Sequence, residues 1–114
     1  MSEFVWFDLR TEDAEGAETF YRDLLGWRIA RDDGMPPMVA GAEGPWALIG
    51  GAVLPGGPQW LPYVRVDDVD AATARAEELG ATVLHEKTEG PAGTFAAISD
   101  PTGAAIALWQ PAAA

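Results

Sequence analysis

Three side chains in this 114-residue sequence are candidates for acid-base work: Asp8, Tyr63 and His85, the single histidine. Asp8 lies in "VWFDLR" directly after two large aromatic residues, Trp6 and Phe7. A carboxylate in such surroundings must meet a cation or hydrogen-bond donors, or burial raises its pKa. Arg10 and Arg65 would make it an ordinary ion pair; facing a ligand, it would be a cation-binding group or a general base. Tyr63 could hydrogen-bond a ligand or simply reach water. His85, in "TVLHEKTEG", shares strand parity with Val83 and reads first as an ordinary strand residue, its role left open. The absence of cysteine removes thiol nucleophiles, thiolate metal sites and disulfides together. No serine stands where it would make His85 the base of a Ser-His-Asp set. "IGGAVLPGGP" lacks the lysine and the strand-to-helix context of a phosphate-binding loop.

The balance of 7 basic against 18 acidic residues gives a net charge of −11. Such a surface repels phosphate backbones and anionic lipids, so neither a nucleic-acid nor a membrane partner is expected. The first residues lack a basic region and no apolar run is long enough to span a bilayer. With the lack of cysteine, this points to a cytoplasmic location.

The elements that must position these groups come from a repeat. Residues 6–29 can be laid over residues 61–83, matching Leu9-Arg10 to Val64-Arg65, Asp13 to Asp68, Ala17 to Ala72 and Leu25-Gly26 to Leu79-Gly80. Each copy begins with a period-two strand and runs into an aspartate suited to capping a helix. The first helix carries Ala17, Phe20 and Leu24 at helical spacing, the second Val69, Ala72, Ala76 and Leu79, and Gly26 and Gly80 suit their ends. Three short strands follow each helix, near residues 27–31, 38–42 and 46–53, then 82–87, 94–99 and 104–109. The expectation is an α+β chain forming one domain of two βαβββ modules, 1–54 and 60–114, joined by a linker at 55–59. Each helix would cover one face of its sheet, and the two free faces would enclose a cleft. "HEKTEG" with "PAGTF" reads as a loop over that cleft or a plain hairpin, and "MPPM" at 35–38 as an adaptable rim.

The duplicated pattern, "FYRDLLGW" at 20–27, "VDDVDAATARAEELGATV" and "SDPTGAAIALWQP" resemble the vicinal oxygen chelate superfamily, which joins glyoxalases, bleomycin-resistance proteins and dioxygenases. The resemblance covers nearly the whole chain. It implies curved mixed sheets around a cleft and, in metal-dependent members, an ion held by His, Glu or Gln from the first and last strand of each module. Those positions fall on Trp6, Leu48, Leu61 and Ala107. None of the four offers a lone pair suited to a hard or borderline cation, and shifting the register by one residue restores none. The expected cofactor and metal content is therefore none.

Strand alternation from that placement gives a lining of Trp6, Asp8, Trp46, Leu48, Leu61, Tyr63, Ala107 and Trp109, with Trp27 as core and Trp60 as wall or rim. In "AAIALW" two alanines share a face with one tryptophan, as though space were left above them. The function this implies is a metal-independent binding protein that sequesters or carries a planar aromatic molecule, cationic if Asp8 faces it. The alternative is a small lyase, isomerase, cyclase or dioxygenase of the same superfamily, either metal-dependent or using Asp8, Tyr63 and His85 as acid-base groups. A homodimer is expected, because modules of this superfamily pair within a chain or swap between two.

Overall fold

The computed structural model of the chain describes residues 3–31 and 36–113; Met35, at the start of the proposed Met-Pro rim, lies outside them. The order is β1 (Phe4–Arg10), α1 (Ala14–Leu25), β2 (Arg28–Ala30), β3 (Met38–Gly41), β4 (Gly44–Ile49), β5 (Gln59–Arg65), α2 (Val69–Glu78), β6 (Thr82–Gly90), β7 (Gly93–Ser99) and β8 (Ala105–Pro111). The architecture is α+β, with each helix followed by its strands as the repeat requires. Among the described residues no helix is long and apolar enough to cross a membrane.

Two compact units emerge, one of residues 6–60 and one of residues 61–114 with 1–5. In the first, β1 pairs with β4 in parallel, and β2, β3 and β4 form an antiparallel run. In the second, β5 pairs with β8 in parallel, and β6, β7 and β8 run antiparallel. "HEKTEG" and "PAGTF" thus form the β6-β7 hairpin and not a free loop.

Helix α1 starts at Asp13, whose carboxylate accepts from the Gly16 N–H at 2.9 Å, and ends at Gly26 in the left-handed conformation with φ 70°. Its inward stripe differs from the expected Ala17-Phe20-Leu24. Ala14, Ala17 and Tyr21 pack against the buried Leu9, Val39, Ala47 and Ile49, whereas Phe20 and Leu24 are 56% and 62% exposed. The stripe that wins follows i, i+3, i+4, i+7 and includes Glu18, buried and ion-paired with Arg31. Tyr21 settles the choice: its ring stacks on Trp27 at 4.9 Å and its hydroxyl accepts from Trp60 Nε1 at 3.0 Å.

Helix α2 is capped by Asp68, which accepts from the Asp70 and Ala71 N–H groups, while Gln110 Oε1 of β8 accepts from the Val69 N–H at 3.0 Å. Val69, Ala72 and Ala76 face the sheet, against Ala96, Ile98 and Leu108. Leu79, expected on this stripe, is the C-cap and is 61% exposed.

Candidate functional site

Register decides which side chains each sheet shows on the face away from its helix. In the first unit Phe7 lies opposite Ala47 and Leu9 opposite Ile49, all on the helix side, so Asp8 and its neighbour Leu48 lie on the other. Trp6 shares that face by period two. Trp6 Nε1 donates to Asp8 Oδ1 at 2.8 Å, and Arg10 Nη2 donates to Asp8 Oδ2 at 3.1 Å. The Asp8 and Arg10 side chains are both about nine-tenths buried. Arg10 also packs against Gly51, where an added Cβ would meet its guanidinium at 3.1 Å. Asp8 is therefore an ion-pair partner that orients the Trp6 indole, and both its oxygens are engaged.

Trp46 departs from the expected lining. Val39 pairs with Ala47 but Ala40 pairs with Pro45, which leaves Trp46 as the extra residue of a β-bulge. The bulge breaks the alternation and turns the indole to the helix side. There it meets Trp27 edge-on at 4.9 Å and Phe7 at 6.1 Å, and stacks with Trp60 at 6.5 Å. Trp27, Trp46, Trp60 and Tyr21 form one aromatic cluster, which makes Trp60 a core residue and not a wall.

In the second unit a single row of residues crosses four strands on the face away from α2. His85 pairs with Ala97, Ala97 with Ala107, and Ala107 with Tyr63. The next row holds Phe95, Trp109 and Arg65, and Leu61 continues the face by period two along β5. Ala97, Ala107 and Leu61 are fully buried; Phe95, His85 and Trp109 are half-buried. The Phe95 ring lies 5.7 Å from Tyr63 and 5.4 Å from His85, the latter pair stacked within 21°. Tyr63 on β5 and Phe95 on β7 meet across β8, and only a residue as small as Ala107 leaves room for that approach. The alanines therefore support a ladder of three rings.

His85 reaches this face through a second bulge. Val83 pairs with Ile98, but Ala97 pairs with His85 and not with Leu84, so Leu84 is the extra residue. Without it His85 would share the helix side with Val83. Its Nδ1 lies 2.8 Å from the carbonyl oxygen of Glu86. A carbonyl only accepts, so Nδ1 carries the hydrogen, and the lone pair of the uncharged form of the ring is then on Nε2. The alternation in "TFAAIS" places Phe95 and Ala97 on one face, a signal the sequence reading passed over; nothing in the sequence marks either bulge.

The four positions at which the resemblance places metal ligands bear an indole, two isobutyl groups and a methyl group, none able to hold a divalent ion. Among the described residues no three or more His, Asp or Glu side chains gather into a metal-binding group. The family's ion does not fit these residues.

Two βαβββ units, each with its helix packed on one face of its sheet, have the fold of the glyoxalase type. The glyoxalase-like domain family matches residues 5–109, and the chain belongs to it. It is 38% identical over 117 residues to CFP32 of Mycobacterium tuberculosis (strain CDC 1551 / Oshkosh), provisionally named a glyoxylase; the match covers 92% of this chain and 44% of that protein. It is 30% identical over 131 residues to the anthracycline biosynthesis protein DnrV of Streptomyces peucetius, covering 93% of this chain and 46% of that one. The chain thus spans less than half the length of these curated relatives. A solved structure of a glyoxalase/bleomycin resistance protein/dioxygenase superfamily member from Vibrio splendidus 12B01 shares the fold with TM-score 0.61 and 15% identity, covering 98% of this chain and 100% of that one.

Proposed function

We propose that this chain binds a planar aromatic small molecule without a metal ion, on the helix-opposite face of the second unit, which carries Leu61, Tyr63, Ala107 and Trp109. The observation that carries the reading is the Tyr63-Phe95-His85 ladder beside Trp109, a group of rings on the sheet face that also carries Ala107. Aromatic contacts of this kind add about 0.5–1.5 kcal/mol each beyond the area they bury. The name of DnrV supports a fused-ring ligand, since anthracyclines contain one. A preference for cations rests on the net charge alone, because Asp8 is neutralised by Arg10. We propose in addition that the protein is a cytoplasmic homodimer; sedimentation of the purified chain tests the dimer.

The test is calorimetry against a panel of fused-ring compounds, an anthracycline among them, before and after treatment with a metal chelator. Binding that survives chelation unchanged supports the proposal. Binding that chelation abolishes, or binding of small polar carbonyl compounds alone, overturns it. The enzymatic alternative draws on Tyr63 and His85, which share one sheet face, and not on Asp8. Turnover of a bound compound that His85→Gln abolishes while binding persists would favour it.

A further inference from the structure

The Nε2 atom of His85 is the one hydrogen-bonding position of that ring left to a ligand. Three observations converge on it. The Leu84 bulge turns the imidazole onto the helix-opposite face of the second unit, in register with Ala97 and Ala107. The Phe95 ring stacks on the imidazole and fixes its plane. The backbone carbonyl of Glu86 holds Nδ1 as a donor, with the Thr88 hydroxyl 3.4 Å from the same nitrogen and donating to the same carbonyl at 3.1 Å. The ring is thereby oriented and its tautomer set before any ligand arrives, so little conformational freedom is lost on binding.

We infer that His85 Nε2 is an acceptor that selects, among planar aromatic molecules, those carrying a hydroxyl at the ring edge. This rests on the proposal that the face binds aromatic molecules, and it names the ligand class: phenols and hydroxylated fused rings over their unsubstituted or methylated counterparts. An aromatic hydroxyl stacked near Phe95 and Trp109 gives its proton to Nε2 in a hydrogen bond, with no bond made or broken. A bare ring leaves that lone pair without a partner, which costs affinity.

The experiment compares 1-naphthol, naphthalene and 1-methoxynaphthalene by calorimetry on the wild type, His85→Phe and His85→Gln. Nitrogen-15 spectra of the single histidine in the wild type, free and with 1-naphthol, accompany it. The wild type is expected to bind 1-naphthol roughly threefold to tenfold more tightly than either of the others, the worth of one net hydrogen bond. His85→Phe erases that preference while leaving naphthalene binding in place, and His85→Gln, whose amide reaches toward the Nε2 position, restores part of it. In the spectra the neutral ring carries its hydrogen on Nδ1, and Nε2 moves when 1-naphthol binds. Equal affinity of the wild type for all three compounds, or an unmoved Nε2, overturns the role of His85 and leaves aromatic binding standing. Failure of all three to bind overturns the underlying reading and this inference with it. Should His85→Phe not fold, the wild-type comparison and the spectra decide alone.

Discussion

The Asp8 carboxylate shows how far residue types alone reach. Its position among aromatic rings and two residues from an arginine was legible, and so was the ion pair as one outcome. That the Trp6 indole would take one oxygen and Arg10 the other was not, because side-chain geometry in a buried trio depends on packing from strands far away in sequence. Removing one member of a buried ion pair strands the other charge, at a cost of about 3–5 kcal/mol. Asp8→Ala is therefore expected to lower the unfolding free energy by that order in urea titration, with the Trp6 environment altered. Asp8→Leu combined with Arg10→Met is expected to recover most of it, since an apolar pair of similar volume needs no compensation. If the single and double variants prove equally stable, the trio is not the buried pair described here.

At the level of strands and turns, the repeat, both helix starts and the order of strands could all be read from capping and period two. The misplacement of Trp46 and of His85 has one source. Period two assumes an unbroken ladder, and the extra residues Trp46 and Leu84 each break it. One bulge moves a tryptophan off the expected site face and the other brings a histidine onto it. Gly93 shows how tightly β7 and β8 are fitted together. An added Cβ there would stand 2.3 Å from the Gln110 carbonyl oxygen and 2.9 Å from Pro111 Cα, on a backbone with φ 146°. Gly93→Ala is expected to cost about 1–3 kcal/mol from overpacking alone, read as a lower urea midpoint. The "SDPTG" turn was recognised from sequence, and its aspartate does the holding. Asp100 Oδ1 accepts from the Thr102 hydroxyl at 2.6 Å and from the Thr102 and Ala104 N–H groups at 2.8 and 3.1 Å. These bonds, the hydroxyl first, lower its pKa below the ordinary 3.8. A lowered folded value means the carboxylate stabilises the fold fully above the ordinary value, and the gain is lost as pH falls through the lowered one. The stability gap between wild type and Asp100→Asn, measured by urea titration across pH, is accordingly expected to be constant near neutrality and to shrink only below about pH 4. A gap that closes between pH 5 and 7 would contradict the assignment.

For the chain as a whole, the class of fold was readable because it is written twice. The family followed from blocks of residues in fixed order. The ligand did not, because one fold of this kind serves unrelated chemistries and the distinguishing side chains sit where the ladder is irregular. The net charge of −11 acts at long range and independently of the site. Association of an amine-bearing planar dye is expected to slow as salt rises from about 0.01 to 0.15 M, which shortens the screening length from roughly 30 to 8 Å. A neutral dye of the same outline should show no such dependence in stopped-flow measurements; equal salt dependence for both would remove steering from the account. The cluster of Trp27, Trp46 and Trp60 also governs how the molecule responds to light. Three indoles with centroids 4.9 to 6.5 Å apart exchange excitation, and the stacked Trp46-Trp60 pair couples its transitions into a split circular dichroism band. Much of the intrinsic emission then reports on the aromatic core of the first unit, while Trp6 and Trp109 carry the signal of the sheet faces. A chain with Trp27, Trp46 and Trp60 replaced by phenylalanine would turn the two remaining indoles into separate optical reporters, one for each unit.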